Sequence, residues 1–223
     1  MTLTDLILSV RGRVDDVATP PLCSDALFTL YANDAENEAC RRARLLLDSS
    51  TAQVCHLVIV ATTISYLLEP CVIFIRRAKW TAADGSTTIL RPVSSRDLDK
   101  MDSNWDTQTG PPRAFVIDTT VGTFRPWPTP DTAGTVDLTV VRTPIVPMQD
   151  GGDEPEIPPR FHAGLEHWMR KRYYDMQDAE IKDPKKSVEA EADFEREFGK
   201  KSSAIDETWL QRESGLFEDE GNF

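Results

Sequence analysis

Three histidines and four cysteines in 223 residues leave little material for several kinds of chemistry. Cys23, Cys40, Cys55 and Cys71 stand 17, 15 and 16 residues apart with no CxxC pair, so neither a zinc knuckle nor a thioredoxin-type redox site is expected. Small buried thiols fit such spacing better, and a chain of this length needs no disulfide. His162 and His167 are five residues apart. On a helix they would point about 140° apart, so they cannot share a metal as an i, i+4 pair does. His56 lies in an apolar run and is expected to be structural or partly buried. The chain lacks HExxH, GxSxG, GxxxxGK[ST] and GxGxxG. Asp150, Asp153, Glu154 and Glu156 lack calcium-loop spacing. No run approaches the roughly 18 apolar residues of a membrane span; the stretch Leu57–Ala61 is far shorter. The start, Met1-Thr2-Leu3-Thr4-Asp5-Leu6, carries neither the basic opening nor the apolar stretch of a signal peptide, and synthesis in the cytoplasm is expected. No catalytic residue, metal ligand or cofactor is therefore anticipated.

Acidic residues are what the chain has in quantity. It carries 37 Asp and Glu against 25 Lys and Arg, a net charge of −12. The excess is uneven: 5 basic and 8 acidic residues in 1–50, 9 and 9 in 51–147, 11 and 20 in 148–223. An acidic protein repels phosphate at long range, which disfavours tight sequence-independent binding of DNA. A neutral middle between acidic ends suggests three segments with different tasks.

Periodicity divides the chain in the same way. Leu3, Leu6, Ile7, Val10 and Val14 follow helical spacing behind a Thr2/Asp5 cap. Thr19-Pro20-Pro21 ends that helix, and Ser24 caps a second, on which Leu27, Tyr31, Ala35, Ala39 and Ala43 recur every four residues. Arg41, Arg42 and Arg44 on it read as a solvated face, since acids share the helix. From residue 51, the runs Val54–Val60, Ser65–Leu67, Val72–Lys79, Thr87–Val93, Arg113–Asp118, Thr123–Pro126 and Val136–Arg142 are rich in β-formers, separated by turns such as Asp84-Gly85-Ser86 and Val121-Gly122. Ser94–Met101 reads as a short helical turn capped by Ser95. The alternating prolines of Arg125-Pro126-Trp127-Pro128-Thr129-Pro130 mark a strand end or an edge, with Trp127 packing at home or on a partner. After a polar crossing loop, Pro144–Pro159, helices resume. Phe161, Leu165, Trp168, Met169 and Tyr173 share one face, Asp183-Pro184 restarts a helix, and Val188, Ala192 and Phe194–Phe198 supply an apolar stripe.

The expected class is α+β. The N- and C-terminal helices (residues 1–50 and 157–198) form a helical bundle, an antiparallel β domain or sandwich (51–147) is inserted in it, and an extended C-terminal arm (199–223) follows. Residues 205–223 carry 6 acidic and 1 basic residue. They are too poor in apolar residues for a core, yet Trp209, Leu210, Leu216, Phe217 and Phe223 are spaced along the arm. Such a segment is expected to order on a partner through its aromatic anchors.

A series of short elements, in order, resembles the head-to-tail adaptor proteins of short-tailed bacteriophages, the tail-tubular-protein-A-like group. They are Ser24-Asp25-Ala26-Leu27 with Tyr31-Ala32-Asn33, Glu38–Arg44, Val72–Ala78, Gly110-Pro111-Pro112-Arg113, Pro126-Trp127-Pro128-Thr129-Pro130, Glu156–His162, Asp178-Ala179-Glu180 and Phe194–Gly199. Two places depart from the pattern: no aromatic stands near Leu22 or Cys23, and the tail beyond Trp209 diverges. The resemblance implies a virion protein at the head-tail junction, a homo-oligomeric ring of twelve copies joining the portal protein to the tail nozzle protein. DNA would pass through its channel without specific binding. Trp209, Leu210, Leu216, Phe217 and Phe223 would meet the portal, and Trp127, Asp84 and Gly85 the nozzle. An acidic channel wall would limit phosphate adhesion. The alternative is a carboxylate-based hydrolase acting in assembly or entry, which needs two acids about 5–10 Å apart in a cleft. A DNA-gripping ring is a third reading, opposed by the acidic composition.

Overall fold

The computed structural model describes residues 1–178 and 181–201. In chain order its elements are α1 (Leu3–Val14), α2 (Asp25–Ala43), β1 (Leu46–Asp48), α3 (Ala52–Cys55), β2 (His56–Ile59), β3 (Tyr66–Leu67), β4 (Val72–Ala82), β5 (Thr87–Val93), α4 (Ser95–Met101), β6 (Ala114–Val116), β7 (Thr123–Trp127), β8 (Gly134–Arg142), α5 (Leu165–Tyr174) and α6 (Pro184–Phe198). The class is α+β. Two compact units divide the described chain, one made of residues 1–46 with 143–201, the other of residues 47–142.

The first unit is helical, and local signals set its helix ends. Thr2 and Asp5 form a reciprocal capping box on α1, with the Asp5 amide donating to Thr2 Oγ1 and the Thr2 amide to Asp5 Oδ2. Ser24 caps α2 through the Leu27 amide. Asp183 accepts from the amides of Lys185 and Lys186, and Pro184 occupies the first turn of α6, where its missing N–H has no partner to lose. The core joins Leu3, Leu6 and Val10 of α1, Phe28, Ala32, Ala35 and Ala39 of α2, Leu165, Met169 and Tyr173 of α5, and Phe194 and Phe198 of α6. Phe28 stacks on Tyr173 with ring centroids 5.9 Å apart. The expected stripe on α6 is corrected at two positions, Val188 and Ala192, both exposed. Val188 is 68% exposed, while Ala190, Phe194 and Phe198 recur every four residues on the buried side; the apolar face is set by this i, i+4 series, and Val188 and Ala192 fall outside it.

Polar side chains of α2 bind the connecting segment that precedes α5. Asn33 donates to the Met148 carbonyl at 2.9 Å and accepts from the Met148 amide at 2.8 Å. The Glu36 carboxylate, buried, accepts from the amides of Glu156 and Ile157. Burial pushes the Glu36 carboxyl up to about 7, against the two amide hydrogen bonds that favour its charge.

The second unit is one curled eight-stranded sheet in the order β1-β8-β4-β5-β6-β7-β3, with β2 also paired to β8. Neither a sandwich nor a wholly antiparallel sheet is present among the described residues: β5 and β6 run parallel, with Arg91 opposite Ala114 and Val93 opposite Val116. The connection that makes this possible is the stretch 94–113, which carries α4 and a 3-10 turn at Trp105–Thr107, long enough for a return crossover. Ser94, rather than Ser95, caps α4 through the Asp97 amide. The run Val54–Val60 begins as the helical turn α3 and only then becomes β2. Asp48 Oδ1 takes the amides of Ser50 and Thr51 just upstream, which turns the chain and starts α3 at Thr51. Pro126 sits opposite Phe115 of β6, beyond the point where β3 has ended, so no neighbour needs the missing N–H.

Candidate interaction surfaces

Three of the residues singled out above fall within the second unit. Trp127 ends β7 and packs at home. Its ring joins Val93, Leu98, Trp105 and Val116, and its Nε1 donates to the Trp105 carbonyl at 3.0 Å. Trp105 itself donates to Asp99 Oδ1 at 2.7 Å and lies under the Arg125 guanidinium, 4.5 Å from the ring centroid. Asp84 and Gly85 are exposed at the β4–β5 hairpin tip. Asp84 Oδ1 accepts from the Ser86 amide at 2.8 Å, and hydrogen bonding to Ser86 holds its carboxyl below the usual value. Gly85 has a φ of 85°, which an L side chain rarely adopts. Trp209, Leu210, Leu216, Phe217 and Phe223 lie outside the described residues.

The root of that C-terminal segment is described, and it depends on a residue that composition misread. Arg42 was expected on a solvated face; its side chain is 1% exposed. The guanidinium lies 5.1 Å from the Trp168 ring centroid and 5.0 Å from that of Phe194, pairs with Glu38 at 2.8 Å, and donates to the Gly199 carbonyl at 3.3 Å. A flat, weakly hydrated cation suits a slot between two rings. Arg42 therefore joins α2 to the end of α6, where the chain leaves for its last residues.

The sheet has one outward face that the sequence did not announce. In the register of β2, β8, β4 and β5, His56 faces Asp137, Asp137 faces Lys79, and Lys79 faces Ile89. The adjacent row holds Val58, Thr135, Thr81 and Thr87. Arg77, opposite Thr139, and Arg91 follow on the same side by alternation, and Arg76 is exposed at the bulge between Ile75 and Arg77. Ala78, Trp80, Leu90, Val136 and Leu138 fill the opposite, buried side. Arg76, Arg77, Lys79 and Arg91 make no ion pair among the described residues. Asp137 is the one acid in these rows, and it accepts from or pairs with His56 Nδ1 at 2.8 Å. His56 is exposed, which corrects the expectation of partial burial. The face is thus net positive in a chain whose total charge is −12.

A second patch lies where the sheet curls. Tyr66 of β3 donates through its hydroxyl to the Val60 carbonyl at 2.8 Å and accepts from the Val60 amide at 3.0 Å, which brings the β3 end of the strand order to the end of β2. Around this seam Val58, Val60, Ile64, Leu67 and Val121 are exposed, Leu67 at 84%.

Buried acids have structural partners. Asp16 pairs with Arg11 at 2.7 Å and takes the amides of Leu22 and Cys23. Glu166 pairs with Arg13 at 2.6 Å, and Asp48 with Arg142 at 2.7 Å, both side chains nearly inaccessible. Burial works against the Asp48 charge, but hydrogen bonds from Ser50, Thr51 and Arg142 outweigh it and hold this carboxyl well below the usual range. His162 Nε2 lies 2.8 Å from the Ile157 carbonyl. Among the described residues no cluster of three His, Cys, Asp or Glu could hold a metal ion, and no helix is long and apolar enough to cross a membrane. Burial pushes the Cys23 and Cys55 thiols up to about 11, which makes them inert.

The family model described as SU10 adaptor protein matches residues 1–215. No curated protein matches the chain. The chain belongs to the SU10 adaptor protein family, which agrees with the resemblance to phage head-to-tail adaptors.

Proposed function

We propose that this member of the SU10 adaptor protein family is a structural virion component, a ring of twelve copies at the head-tail junction that joins portal to tail nozzle and continues the DNA channel. The family match over residues 1–215 carries the reading. The use of buried acids as structural partners supports it, since each is engaged in holding a loop or a cation rather than left free for acid–base work.

In this reading the helical body is the ring's frame, and the segment 199–223 is the arm that docks on the portal. Its anchors are Trp209, Leu210, Leu216, Phe217 and Phe223. Arg42 fixes the arm's starting point through Gly199. The β unit meets the nozzle, with the exposed hairpin at Asp84 and Gly85 as a contact. Trp127 contributes mainly by supporting its strand end, because its indole N–H is committed to Trp105. Accumulated negative charge around the bore lets DNA slide with little adhesion.

Deleting residues 205–223 tests the arm. The truncated protein is expected to keep its far-ultraviolet circular dichroism and thermal transition, and to lose capture by immobilised portal protein. Capture equal to that of the full chain overturns the arm's role.

A further inference from the structure

The outward sheet face and the C-terminal segment carry opposite charge, and neither finds its counter-charge within its own segment. The face carries Arg76, Arg77, Lys79 and Arg91 against one acid, Asp137, itself paired with His56. The segment 202–223 contains Asp206, Glu207, Glu213, Glu218, Asp219 and Glu220 against Arg212 alone. We infer that the acidic positions of residues 202–223 of a second copy lie across the β2-β8-β4-β5 face, clasping neighbouring copies together. The inference rests on the ring reading for the presence of that neighbour.

The segment is long enough to cross the face. Twenty-two residues can span about 70 Å when fully extended, whereas four adjacent strands are about 15 Å across. The two kinds of residue in the segment then have separate tasks: carboxylates grip the neighbour's arginines and lysine, and aromatic anchors remain for the portal. Duplex DNA is the competing polyanion, and two observations disfavour it. Ile89 and Val58 are exposed among the basic residues, a mixture suited to an acidic peptide with apolar residues such as Ile205, and the chain's charge of −12 repels a phosphate backbone. Exposed ion pairs are weak singly; several together, held in a ring where the neighbour's segment is always near, gain from a high effective concentration.

Zero-length carbodiimide coupling joins a carboxylate to a lysine amine only where the two touch, and Lys79 is the lysine on this face. Full-length protein mixed from isotopically light and heavy copies is coupled with and without purified portal protein, then digested and read by mass spectrometry. Light–heavy peptides joining Lys79 to an acid within 202–223 are expected. They should fall at least tenfold in the double variant Arg77→Glu, Arg91→Glu, whose exposed positions leave the fold unchanged by circular dichroism, and fall likewise in high salt. Absence of such peptides under both conditions, their occurrence only within one copy, their persistence in the double variant, or blocking of Lys79 by added duplex DNA in their place each overturns the inference. Portal capture is scored on the same samples. Its loss while the light–heavy peptides persist faults the portal reading and leaves this contact standing.

Discussion

At the scale of single residues, buried polar groups decide more than the hydrophobic pattern does. Glu36 is the clearest case. Its ordinary value of 4.5 rises to about 7 in the fold because burial disfavours its charge more than the amides of Glu156 and Ile157 favour it. The folded state therefore binds this proton more tightly than the unfolded chain does. The associated stability is complete below about pH 4.5 and is lost as pH rises through about 7. Glu36→Gln keeps an acceptor oxygen for the two amides and removes the titration. Urea unfolding of both proteins between pH 5 and 8 should show the native chain losing about 1–3 kcal/mol relative to the variant as pH rises. Parallel profiles contradict the assignment. Arg42 makes the same point about what a sequence conceals. Its charge is visible, but the rings that enclose it, Trp168 and Phe194, come from α5 and α6, more than a hundred residues downstream. No local pattern distinguishes it from Arg41, which stays partly exposed.

At the scale of elements, the starts of the three longest helices were legible and sheet pairing was not. Thr2 with Asp5, Ser24, and Asp183 with Pro184 act within a few residues of themselves, so their capping roles can be read directly. Strand positions were legible from β-branched runs, but partners were not: the parallel β5–β6 pair is set by the crossover through α4. The helical turn α3 hides inside Val54–Val60 because its residues are good strand formers and the cause lies upstream, at Asp48. The basic face was hidden for a similar reason. Arg77, Lys79 and Arg91 are scattered in sequence and meet only through the register of β4 and β5. Asp48 also ties the β1 turn to β8 through Arg142. Arg142→Met would leave that carboxylate buried without its cation, and a loss of about 3–5 kcal/mol is expected in denaturant unfolding. A change below about 1 kcal/mol would show that water reaches the site and replaces the arginine.

At the scale of the whole molecule, charge is partitioned by segment in a way that suits an assembled part. The stretch 148–223 carries 20 acidic residues against 11 basic, while 51–147 is balanced yet places Arg76, Arg77, Lys79 and Arg91 on one sheet face. Val58, Val60, Ile64, Leu67 and Val121 are exposed around the seam of the curl. Exposed apolar patches of this kind mark interaction sites.

We propose above all that these copies close into a ring on the portal. Negative-stain images of the full-length protein mixed with purified portal protein, averaged along the portal axis, test it most directly. An added layer with twelve-fold symmetry at one end of the portal is expected. Portal particles that remain bare at saturating concentrations of the chain would contradict it.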